Sequence, residues 1–181
     1  MKRVLSIVFA SLFLFSCGKK SDNNPTPSEG DVSWKLGDYT YVKAASSQTS
    51  TATDGRVITA LAVTTAGNGG NYGAFSGSAL AMTFYSNLGE GTYSIGTTEA
   101  MVSNPTSRIL TITCTIGTAV NTGSILYSVN GTGGTANVTK DSNGKFHITV
   151  SSAVSFKKDI VVGGGIPAAK ATYDLTIHNA W

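Results

Sequence analysis

Hydrophobic and polar positions alternate along most of the chain from Val32 onward. In the segment RILTITCTIG, Leu110, Ile112 and Cys114 fall on one side of an extended backbone, and mostly threonines fall on the other. This period of two residues is typical of a strand with one buried face. No window of a dozen residues has the 3.6-residue period of an amphipathic helix. The pattern therefore predicts a body made of strands.

Short clusters of Gly, Asn, Ser and Thr separate the predicted strands. Strands at this spacing indicate an all-β fold, either an antiparallel β-sandwich or a flattened barrel of about 9–11 strands, with the sandwich favoured. The run DSNG, residues 141–144, suits a tight reversal because its Asn-Gly pair tolerates positive φ. The predicted strands are Ser33–Leu36, Tyr39–Ala44, Arg56–Thr64, Ala79–Ser86, Gly91–Ile95, Ile109–Thr115, Ser124–Val129, Thr135–Lys140, Phe146–Ser151, Val154–Val161 and Thr172–His178.

The N-terminus departs from this pattern. Lys2 and Arg3 precede a mainly apolar run, residues 4–15. The run is shorter than the roughly 20 residues that span a bilayer as a helix. A positive start followed by a short apolar core is typical of a secretory signal, so a secreted precursor is predicted.

A single cysteine, Cys17, follows the apolar run. The segment LFSC, residues 14–17, resembles the lipobox of bacterial lipoproteins, in which the cysteine receives a diacylglyceryl group and the signal is cut before it. The resemblance implies a signal peptide at residues 1–16 and a lipid on Cys17 that holds the chain to a membrane. Residues 17–30 lack core-forming side chains and are predicted to be a flexible linker, with residues 31–181 as one domain. An uncleaved anchor with an incidental cysteine is the alternative.

Charge is sparse in this chain. Charged residues make up 13% of it, about half the usual share. The formal net charge of +3 falls to +1 when Lys2 and Arg3 leave with the signal, since 11 basic residues then face 10 acidic ones. Because nucleic-acid binding needs clustered Lys and Arg on the folded part, no nucleic-acid partner is expected.

Residues with catalytic or metal-binding chemistry lack the spacing that such sites need. His147 and His178 have no second His, Cys or carboxylate at metal-ligand spacing. No G-x-S-x-G motif is present, and the few acids fall mostly in predicted turns. The glycine-rich runs at residues 67–73 and 163–167 are interpreted as loops between strands and not as phosphate sites. Cys114 is predicted to be a buried, inert thiol, and no metal, cofactor or catalytic residue is expected.

Aromatic residues on loops are the remaining candidates for ligand contact. Tyr72 and Phe75 flank the first glycine-rich run, and Trp181 ends the chain. Exposed aromatic rings commonly stack on sugars or grip a protein partner. The alternative is that these rings plug the edge of the sandwich.

A series of strand and turn positions from Gly91 onward carries a family resemblance: Gly91-Thr92-Tyr93, Tyr127, Gly133-Gly134, Val138-Thr139 and Asp141 to Lys145. These positions resemble those of small lipoproteins of Bacteroidetes-type bacteria that contain an uncharacterised all-β domain. The resemblance implies a sandwich-like or calycin-like domain on a lipid anchor, and it brings no catalytic residues with it.

These observations predict a non-enzymatic envelope lipoprotein, anchored to the outer membrane through Cys17 on its periplasmic face or at the cell surface. Its expected role is that of a binding or interaction module for glycan, peptidoglycan or a partner protein. Two alternatives remain open: a calycin-like carrier of a small apolar ligand, and an unrecognised hydrolase. An internal apolar cavity would favour the carrier, and paired carboxylates in one cleft would favour the hydrolase.

Overall fold

The structure, a computed structural model, describes residues 33–65, 73–117, 123–131, 133–178 and 180. The described residues form eleven strands in one mixed sheet, so the predicted all-β class is confirmed. The predicted signal and linker, residues 1–30, lie outside the described residues. The strands are β1 (Trp34–Leu36), β2 (Tyr39–Tyr41), β3 (Lys43–Thr53), β4 (Arg56–Thr65), β5 (Ser78–Tyr85), β6 (Gly91–Ile95), β7 (Ile109–Ile116), β8 (Ser124–Val129), β9 (Thr135–Lys140), β10 (Phe146–Val162) and β11 (Thr172–Ile177).

The strand β3 is longer than the sequence predicted. The predicted strand Tyr39–Ala44 is divided at Val42 into β2 and the start of β3, which continues to Thr53. Eight of the eleven residues of β3 are exposed, and Ser, Thr and Ala dominate it. Because neither face is hydrophobic, the alternation that marks the other strands is absent here.

Two further elements also differ from the prediction. The strands predicted at residues 146–151 and 154–161 are one strand, β10, whose pairing with β11 shifts register between Val150 and Val154. A short helix, α1 (Thr98–Ser103), precedes β7. Its six residues are too few for a periodic signal, and it is begun by the hydroxyl of Thr97, which accepts the backbone N–H of Ala100.

The two end strands of the sheet follow each other directly in the chain. Its strand order is β2-β1-β11-β10-β9-β6-β7-β5-β4-β3, with β8 pairing with both β10 and β7. The two ends of this order, β2 and β3, are separated in sequence only by Val42. Among the described pairings, β6 and β7 are parallel and the others are antiparallel. The described strands therefore enclose one core, an arrangement consistent with either a β-sandwich or a flattened barrel.

Large aromatic side chains fill the interior. Trp34 stacks on Tyr41 with ring centroids 5.5 Å apart, and Nε1 of Trp34 donates to Oγ of Ser78 at 3.2 Å. The Tyr41 hydroxyl donates to the carbonyl of Phe75, and the Tyr127 hydroxyl to that of Lys170. In the part of the chain that is described, every buried polar side-chain atom has a hydrogen-bond partner. The core is thus well packed, and its buried polar side chains are hydrogen-bonded.

Packing around Trp34 is expected to stabilise the closed sheet. The variant Trp34→Ala should lower the free energy of unfolding by about 3–5 kcal/mol, because it leaves a large cavity beside Tyr41. Trp34→Phe retains a ring against Tyr41 and should cost clearly less. Urea unfolding of the purified full-length protein measures both, and equal losses would show that ring packing at this position is unimportant.

Candidate functional site

The candidate site lies where pairing along β10 lapses. On one edge of this 17-residue strand, β9 pairs with Phe146–Thr149 and β8 pairs with Phe156–Val162. Phe156 also pairs with Tyr173 of β11, so β8 and β11 flank β10 on opposite edges. Between Thr149 and Phe156, β10 pairs with neither β8 nor β9. A length of backbone is therefore left without a ladder on the edge where β8 gives way to β9.

The local sequence explains this lapse. Val150 and Val154 are both buried, whereas the three residues between them, SSA at positions 151–153, are all exposed. Between the pairs Val150–Ile177 and Val154–Leu175, β10 advances four residues while β11 advances two, so β10 accommodates two extra residues as a bulge. Opposite the bulge, the chain leaving β8 at Val129 does not rejoin β10 until Asn137 pairs with Thr149.

The lapse forms an open depression of about 410 Å³, which we call the β10 groove. Its size falls within the range of small-ligand sites in proteins. Gly134, with φ of +72°, lets the loop approach closely, because a Cβ there would collide with the side chain of Val154. The groove is lined by the small or apolar residues Val129, Gly133, Gly134, Ala153 and Val154 and by the polar residues Asn130, Ser155, Lys157 and Thr172.

Three of the polar residues of the β10 groove lie on β10 and β11. Ser155 and Lys157 alternate on the exposed face of β10, and Thr172 of β11 pairs directly with Lys157. Lys157 is the one charged residue among those that line the groove. A hydroxyl, an amide and an ammonium group together suit a ligand with hydroxyls, amides and a carboxylate.

The residues predicted to contact ligand fall elsewhere. Cys17, Tyr72 and Trp181 lie outside the described residues, so their roles stay predictions. Phe75 is 7% exposed, and its ring stacks on Tyr39 at a centroid distance of 4.5 Å. The Phe75 ring therefore packs against the fold, as in the alternative considered for it.

The β10 groove itself was missed in the sequence. Two signals for it were present: the pair Gly133-Gly134 and the polar interruption at residues 151–153. Each was interpreted as a turn or a break between separate strands. Only the pairing of β8 and β9 with a single strand brings the two segments together.

Several titratable groups of the described residues have structural partners. Nε2 of His147 lies 3.4 Å from Oδ2 of Asp141, and Asp159 accepts a hydrogen bond from the Ser128 hydroxyl. Glu90 accepts the backbone N–H of Lys140. No group of three or more His, Cys, Asp or Glu residues in the described ranges is arranged to hold a metal ion.

Cys114 lies in the core beside Ser78, with Sγ 3.5 Å from the serine Oγ. Burial raises the pKa of the Cys114 thiol to about 12, and the contact with Ser78 only partly offsets this. A thiol with so high a pKa stays protonated at neutral pH and is a poor nucleophile. Its position and chemistry agree with the predicted inert core thiol.

Comparisons with known proteins add no relative. No protein-family model, curated protein or solved structure matches this chain. Within the described residues, no helix has the length and hydrophobicity needed to cross a membrane.

Asp141 should make stability depend on acid pH. Its carboxylate accepts the backbone N–H groups of Lys145 and Asn143, and the Lys145 bond above all lowers the pKa of Asp141. A group with a lowered folded-state pKa stabilises the fold above its unfolded value of about 3.9, and this is lost as pH falls through the folded pKa. The Asp141→Asn variant should therefore show a flatter decline in Tm than the parent between about pH 5 and 2. Thermal melts followed by circular dichroism test this, and parallel declines would contradict it.

Proposed function

We propose that this chain is a lipid-anchored, non-catalytic binding module of the bacterial envelope, and that its β10 groove holds an acidic glycan or glycopeptide, with peptidoglycan as the leading candidate. The observation that carries the proposal is the contrast between a filled interior and an open surface groove that is lined by both apolar and polar residues.

The filled interior favours a surface site over an internal one. A carrier of the calycin type needs space inside the barrel for its ligand. Here Trp34, Tyr41 and Tyr127 are completely buried at the centre of the closed sheet. Ring contacts and hydrogen bonds hold each of them in place, so an internal ligand would have to displace well-packed side chains.

The chemistry of the groove favours an acidic, hydroxyl-rich ligand. Asn130, Ser155 and Thr172 can exchange hydrogen bonds with sugar hydroxyls and N-acetyl groups, and Lys157 can pair with a carboxylate. Peptidoglycan presents all of these groups, since it joins N-acetylated sugars to peptides with free carboxylates. The bare backbone beside residues 151–155 offers further amide partners for its peptide stem.

The acidic residues support a non-catalytic role. Glycoside hydrolysis needs two carboxylates that face each other across a cleft. The described carboxylates of Glu90, Asp141 and Asp159 serve turn, backbone or strand contacts, and no acidic residue lines the β10 groove.

The anchor is tested by replacing its cysteine. Cys17→Ala should abolish lipid attachment and move the protein from the membrane fraction to the soluble fraction, because the acyl chains supply the membrane affinity. Cys114→Ala is the matched control, since it removes the other cysteine and should leave fractionation unchanged. Membrane retention of Cys17→Ala equal to that of the parent would refute the anchor. Protease treatment of intact cells then distinguishes surface from periplasmic exposure.

The groove is tested by reversing its charge. Lys157→Glu should weaken binding to purified peptidoglycan on the order of tenfold or more, because it replaces a charge-assisted hydrogen bond by repulsion. Lys35→Glu changes the same charge on β1, outside the groove, and should bind like the parent. Sedimentation with insoluble peptidoglycan measures both variants. Equal binding by the two variants, or none by the parent, would contradict the proposed ligand site.

A further inference from the structure

The strand β3 leaves one edge of the sheet open. It stands at the end of the strand order, and β4 is its one strand partner in the ranges that the structure describes. Its eleven residues extend over roughly 36 Å. The outer edge therefore presents a long row of backbone N–H and C=O groups.

Natural proteins usually protect such an edge with charges, prolines or bulges. The ten residues from Ala44 to Thr53, AASSQTSTAT, include no charged residue, no proline and no glycine. A register shift occurs only at the beginning of the strand, between Lys43 and Ala45. Small hydroxyl and methyl side chains also leave the edge backbone accessible. The strand thus has the properties of one that accepts another strand.

We propose that β3 pairs with β3 of a second copy of this chain, in antiparallel orientation, so that two all-β domains share one continuous sheet edge. The opposite charges at the two ends of β3 favour a second copy as the partner, and they favour antiparallel pairing. Lys43 and Asp54 stand at opposite ends of the strand, so an antiparallel copy brings each Lys43 towards Asp54 of the other copy. Parallel pairing would instead place like charges together at both ends. The arrangement has a two-fold axis and forms a closed dimer.

Symmetry also fixes the register. In a symmetric antiparallel pair, one residue lies opposite its own copy. For every other residue, the distance between its two copies grows with its distance along the strand from that position. Positions 43 and 54 are equally distant from the point between Gln48 and Thr49. Gln48 is half-buried and its Oε1 accepts the backbone N–H of Phe146, whereas Thr49 is exposed. Thr49 is therefore the position at which the two copies can be linked.

Cysteine cross-linking tests this directly in the full-length protein. Thr49→Cys is compared with Ala45→Cys and Ala52→Cys, which are exposed on the same strand. At a strand rise of about 3.3 Å, copies of either flanking position would lie roughly 20 Å or more apart. A short bis-maleimide reagent, applied in cells that express the protein, should link Thr49→Cys chains into homodimers at least tenfold more than either flanking variant. Treatment of the unsubstituted chain measures the background cross-linking that arises from Cys17 and Cys114.

A charged edge provides the second test. Thr51→Lys, added to Thr49→Cys, should suppress the homodimer because two lysines would be held at the paired edge. Thr92→Lys is the matched control, since Thr92 is exposed on β6, which already has strand neighbours. Circular dichroism melts confirm that each variant is folded.

Three other results would each overturn the proposed antiparallel dimer. Equal cross-linking at positions 45, 49 and 52 would indicate parallel pairing. Adducts only with a different protein would make β3 a docking edge for that partner and not for a second copy. Absence of any adduct would show that the edge stays unpaired. None of these results depends on peptidoglycan binding, so this inference and the proposed function fail separately.

Discussion

The fold depends on the continuity of the chain from Tyr39 to Thr53. This segment pairs first with β1 and then, one residue later, with β4, so it holds the two ends of the strand order together at Val42. Closure at this point encloses the Trp34–Tyr41 stack, whose indole N–H reaches across to Ser78 of β5. Without it, the apolar faces of β1 and β4 would lose their common core.

The groove arises from the pairing of β10. This seventeen-residue strand pairs with β9 and β8 on one edge and with β11 on the other, and between Val150 and Val154 it has two residues more than β11. The bulge between Val150 and Val154 absorbs the mismatch and leaves polar residues and bare backbone at the surface. This irregularity in the sheet creates a concave surface with polar side chains, on which the proposed function rests.

Prediction from sequence succeeded where one face of a strand meets the core. β7 and β11 were located closely because Leu110, Ile112 and Leu175 alternate with polar residues. Prediction failed for β3, whose pairing depends on the backbone and not on an apolar face. It failed also for β10, which changes its strand partners along its length. The groove is of the second kind: its residues come from three strands and a loop, and no local pattern marks their meeting.

The central claim is that ligand binds on the outside of a packed all-β fold, at the β10 groove. Amide hydrogen exchange, measured on the full-length protein with and without soluble peptidoglycan fragments, tests it most directly. The account predicts slower exchange confined to residues 133–134 and 151–157. Slower exchange in the interior strands β1 and β2 with none at the groove would contradict it, and would indicate a ligand held inside the fold.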